Sequence, residues 1–92
     1  MNCFVLFYQN VANYKEKRKE FRNEHLSLAK KYYEQGYLLA GGGLEDSEKA
    51  ALLIFTDKIH AENFIKEDPY IYHKVIKIFS IHPWNLAIGG FE

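Results

Sequence analysis

One cysteine, two prolines and no surplus of either charge mark this chain of 92 residues. A lone Cys3 excludes an intramolecular disulfide, and its place among Phe4, Val5 and Leu6 points to a buried, inert thiol. Twelve Lys and Arg are matched by twelve Asp and Glu, so the net charge is zero. Affinity for nucleic acid rests largely on an excess of positive charge, and no nucleic-acid partner is expected. No stretch approaches the roughly 20 apolar residues of a membrane span. The first ten residues also lack the basic start and small-residue cleavage site of a secretory signal, so the expected address is the cytoplasm, away from membranes. Too few glycines and prolines are present for a low-complexity chain, and a hydrophobic fraction of 48% is too high for a disordered one. A single domain over residues 1–92 follows, since a chain this short builds only one core.

What is present is a sequence of clear periodicities. Cys3 to Tyr8 is an unbroken apolar and aromatic run closed by Gln9 and Asn10, a first strand. Tyr14, Arg18, Phe21, His25, Leu28 and Tyr32 then recur at steps of three and four, with Leu26, Ala29 and Tyr33 widening the stripe. This spacing predicts one long amphipathic helix capped by Asn13 and ended by Gly36. Tyr37 to Ala40 forms a second strand running into Gly41, Gly42 and Gly43, where a bend or bulge is expected. After the polar stretch 45–49, Ala50 to Phe55 forms a third strand, and the two pair as a hairpin. Asp57 starts a shorter helix that Pro69 stops near Glu67, and Val75 to His82 is the last strand.

The order β-α-β-β-α-β defines an α+β, ferredoxin-like sandwich: a four-stranded antiparallel sheet with two helices on one face. Strands one and three are apolar on both faces, and only the tail from Trp84 remains to cover the second face. A symmetric homodimer with two sheets face to face is the economical expectation. The same element order occurs in RNA-recognition domains, but Ala50-Ala51-Leu52-Leu53-Ile54-Phe55 lacks the basic and aromatic pattern that stacks bases.

Few side chains suggest chemistry. His25 holds a core-facing helix position, where a polar ring needs a partner: a backbone carbonyl, or a carboxylate orienting it as a general acid/base toward a pocket. Asp68 has two readings of its own. It caps a short turn opened by Pro69, or it accepts the ring N–H of His25. Arg22, one turn before His25, is a candidate for holding an anionic substrate. The glycine run is neither a dinucleotide nor a phosphate-loop pattern, but it admits close backbone approach to a ligand. His60, His73 and His82 have no metal-site spacing, and neither a metal nor a cofactor is expected.

Together these residues carry a resemblance. Arg22-Asn23-Glu24-His25-Leu26, Gly36-Tyr37-Leu38-Leu39-Ala40-Gly41-Gly42, Asp68-Pro69-Tyr70 and His82-Pro83-Trp84 resemble the YciI-like, or YCII-related, family over nearly the whole chain. The resemblance implies a dimeric α+β barrel and a small-molecule enzyme whose catalytic pair lands on His25 and Asp68. Arg22, Gly42 and Tyr70 are then the expected substrate contacts. Isomerisation, elimination or hydrolysis are the implied reaction classes, and a non-catalytic ligand-binding module is the alternative.

Overall fold

The computed structural model describes residues 2–46 and 49–91. Its elements are β1 (Asn2–Asn10), α1 (Tyr14–Lys17), α2 (Arg22–Glu34), β2 (Leu38–Gly43), β3 (Ala50–Phe55), α3 (Lys58–Glu67), α4 (Pro69–Tyr72) and β4 (Ile76–Asn85). The strands form one antiparallel sheet in the order β2-β3-β1-β4, the ferredoxin-like α+β arrangement expected from the sequence. β1 and β3 are the central strands, each pairing on both edges and apolar on both faces. Phe4, Leu6 and Tyr8 face the helices, and Val5 and Phe7 face away.

The core lies between sheet and helices. Leu6, Tyr8, Leu53, Phe55 and Leu38 from the strands meet Tyr32 of α2 and Ala61 and Phe64 of α3. Tyr32, Phe55 and Phe64 contact one another edge to face or tilted, with ring centroids 5.3 to 6.3 Å apart. Gly36, at φ 81, ends α2 in a Schellman turn: its N–H bonds the Tyr33 carbonyl, and the Tyr37 N–H reaches the Tyr32 carbonyl.

Four local expectations need correction. The helix foreseen from Tyr14 is broken at residues 18–21, where Phe21 N–H bonds the Arg18 carbonyl instead of continuing the helical ladder. Residues 15–20 are charged and mostly exposed, so no apolar contact holds that turn in helical form, and helices in proteins draw most of their stability from such packing. Asn13 stands at the N-cap position of α1 without making a side-chain capping bond. The glycine run does not bend out of the sheet: Gly41, Gly42 and Gly43 pair with Leu53, Leu52 and Ala51, and the irregularity lies earlier, between Leu38 and Ala40. Finally, β4 passes His82 and ends at Asn85, because β1 offers partners down to Asn2, and Pro83 is tolerated on an edge strand. The tail folds back so that Phe91 meets the edge of Trp84. Part of the polar stretch 45–49, Ser47 and Glu48, lies outside the described residues.

Candidate active site

The site begins where α3 ends. Pro69 disfavours helical backbone in the residue before it, and Asp68 accordingly turns to φ −73, ψ 117. Its side chain is thereby driven inward and is completely buried. A buried carboxylate is tolerable only when its oxygens are well hydrogen-bonded, and Asp68 receives three donors. Its Oδ1 accepts from the backbone N–H of Tyr70 at 3.0 Å and from His25 Nδ1 at 2.7 Å. Its Oδ2 accepts from the Tyr8 hydroxyl at 2.7 Å. The two roles considered for Asp68 are therefore filled together, by one oxygen: it caps α4 and it holds His25.

His25 sits in the first turn of α2, its N–H bonded to the Phe21 carbonyl, with a side chain 13% exposed. Its ring stacks on Tyr70, with centroids 3.8 Å apart and planes 3° from parallel, and meets Phe64 edge on at 6.1 Å. Oδ1 of Asp68 already accepts from a backbone amide, so the bond to His25 takes its proton from Nδ1. Nε2 is then the basic nitrogen, and it has no partner among the described residues. An imidazole held in one tautomer and clamped between rings, with its other nitrogen unengaged, is equipped to give and take a proton.

Tyr8 is the member of this cluster that sequence reasoning passed over. Its signal was available: it is the polar-tipped residue on the inward face of β1, in line with Phe4 and Leu6, and a buried tyrosine hydroxyl needs a partner. Burial, reinforced by the negative charge and hydrogen bond of Asp68, raises its pKa well above the ordinary value of 10.0, which keeps it a donor.

Above this cluster opens a cavity of about 530 Å³, well within the range of small-molecule sites. Arg22, His25, Gly42 and Tyr70 all line it, so the expected contact residues converge on one space with Asp68 directly behind. Leu26 and Tyr33 line it too, which explains why these two, expected to widen the core stripe of the helix, are 47% and 62% exposed. The glycines of β2 form part of its wall. A Cβ on Gly41 would touch Leu53 Cγ at 3.4 Å, an ordinary van der Waals contact, whereas one on Gly42 would meet nothing within 4 Å. The other histidines are dispersed: His60 stacks on Tyr37, His73 on Phe21, and His82 bonds Ser80. Among the described residues no three His, Cys, Asp or Glu side chains gather in a way that could hold a metal ion.

The family model for the YCII-related domain matches residues 1–85. The chain belongs to the YCII-related domain family. Among solved structures, this YCII-related chain is similar to 5-chloro-2-hydroxyhydroquinone dehydrochlorinase from Burkholderia phenoliruptrix AC1100, determined in complex with 2,5-dihydroxybenzoquinone. The TM-score is 0.75 over 90% of this chain and 93% of that one, at 13% identity, a likeness of fold. No curated protein sequence matches the chain.

Proposed function

We propose that this YCII-related protein is a small-molecule enzyme in which His25 moves a proton on a ring compound, in an elimination or isomerisation, with Asp68 setting its tautomer. The observation that carries this reading is the 2.7 Å bond from His25 Nδ1 to a fully buried Asp68 beside a cavity of ligand size. Asp68 holds the ring in place and stabilises the imidazolium formed when Nε2 takes a proton. Nε2 removes a proton from the substrate and returns it to the product or to a departing group. The shared fold of a dehydrochlorinase that binds a hydroxylated quinone supports the choice of ring compounds as substrates.

The test is a screen of hydroxylated and chlorinated six-membered rings and of lactones, followed by variants. Positioned acid/base catalysis contributes about 10² to 10⁴-fold, so His25→Ala should lower kcat by that factor with its circular dichroism unchanged. Full activity in both His25→Ala and Asp68→Asn would exclude the dyad.

The working unit is a homodimer formed through the sheet face turned away from the helices. Val5, Phe7, Leu52, Ile54 and Trp84 line a shallow apolar groove there, and Ile78 and Trp84 stand 52% and 42% exposed. A monomer would leave this apolar surface in water, and a second copy of the same face would cover it.

A further inference from the structure

The reading of the cavity as a catalytic site leaves its charge unexplained. Three cations, Arg18, Arg22 and Lys30, line it, and no carboxylate does among the described residues. None of the three forms an ion pair within the described structure. Arg18 is held at the cavity by its guanidinium, 5.1 Å from the centre of the Tyr14 ring.

A second, independent feature points at the same place. Tyr70 is 94% buried, lines the cavity, and has a buried hydroxyl with no acceptor for its proton among the described residues. Arg18 and Arg22 act on that hydroxyl by charge, and Arg22 by hydrogen bonding as well, but a guanidinium only donates, so the proton of the Tyr70 hydroxyl is left without an acceptor. Burial outweighs the two cations and raises the pKa of Tyr70, so its O–H remains a donor. Leaving a buried donor without an acceptor is unfavourable, and an oxyanion placed there would accept from Tyr70 while neutralising Arg22 and Arg18. A neutral or cationic group would leave the guanidinium charges unmatched.

Building on the proposed site, we infer that Arg18, Arg22 and Tyr70 form an anion subsite, and that the cavity takes a ring compound bearing an acidic group, a carboxylate or an acidic phenol. Shape agrees with charge. Tyr8, Tyr14, His25, Tyr33 and Tyr70 surround the space with rings suited to a flat ligand. His25 stacks on Tyr70, so a ligand anchored at the Tyr70 hydroxyl lies alongside the imidazole.

Matched probes test this: 4-hydroxybenzoate and 4-hydroxybenzamide, titrated into the intact protein by calorimetry and by ring-proton NMR. The acid should bind about tenfold or more tightly than the amide. Arg22→Met should abolish that preference. Arg18→Met and Tyr70→Phe, the latter keeping the ring that stacks on His25, should reduce it several-fold. No acid-over-amide preference, including failure of both probes to bind at millimolar concentration, overturns the subsite; so does a preference intact in both Arg22→Met and Tyr70→Phe. The same titration in His25→Gln separates the two proposals. A preference retained there, with catalysis absent from the wild type, sinks the dyad and leaves the subsite standing, whereas activity without the preference does the reverse.

Discussion

Asp68 concentrates more structure than any other side chain, and its replacement should show it. Asp68→Ala strands the Tyr8 hydroxyl, the Tyr70 amide and the His25 ring at once, and should lower stability by at least about 3 kcal/mol, read from denaturant midpoints at constant slope. Asp68→Leu keeps a similar volume but removes the acceptor of His25 Nδ1–H, so ring ¹⁵N shifts should show the proton leaving Nδ1 for Nε2, where the wild type shows Nδ1–H. An unchanged tautomer would mean that Asp68 does not orient the ring. Tyr8 makes a prediction with a sign. The pKa values of Tyr8, Tyr32 and Tyr70 are all raised, chiefly by burial, so these groups keep their protons in the folded chain at pH values where the unfolded chain has lost them. Stability should therefore be insensitive to them below their ordinary value of 10.0 and fall above it. Each contributes up to about 1.4 kcal/mol per pH unit there. Tyr8→Phe should make the alkaline fall shallower by one proton's worth, while costing about 1.5 to 3 kcal/mol at neutral pH through the lost charge-assisted bond.

Elements are shaped by their ends. Gly36 stands in the left-handed region, so Gly36→Ala should destabilise the chain by about 1 to 2 kcal/mol in thermal unfolding, although an added Cβ would touch nothing within 4 Å. The penalty is conformational, and a neutral result would contradict the Schellman turn. Pro69 acts twice, stopping α3 and opening α4 with Asp68 as its cap, and this was legible because proline's effect is local. The break between α1 and α2 was hidden. The spacing from Tyr14 to Tyr32 suits a helix throughout, and only tertiary contacts show that the ends are packed, Tyr14 in the core and Phe21 stacked on His73 at 3.8 Å, while the charged turn between them puts no side chain into the core.

At the scale of the whole molecule the open question of the sheet face becomes a measurement. Sedimentation at micromolar concentration should give about twice the chain mass of 10.8 kDa, and Phe7→Lys, which sets a charge in the apolar groove, should give a folded monomer. A wild-type monomer would remove the homodimer. Among the described residues no helix is long and apolar enough to cross a membrane.

Much of this protein was determined by its sequence alone, because the succession of elements along the chain, the Gly36 end of α2, the Asp68 cap of α4 and the inward alternation of Phe4, Leu6 and Tyr8 depend on neighbours a few residues away. The histidine and aspartate could be named as candidates on the same grounds, each being a polar residue where a local rule asks for a partner. Which partner each found was decided by tertiary structure. His25 and Asp68 stand 43 positions apart, and Tyr8 and Asp68 stand 60 apart, so no periodicity links them. They meet because a completely buried carboxylate must collect its donors from whatever elements the sheet and helices bring to it. The cationic wall around the Tyr70 hydroxyl has the same origin: the sequence offered Arg22 alone as an anion-holding candidate, and the fold adds Arg18, Lys30 and Tyr70 by turning their segments toward one cavity.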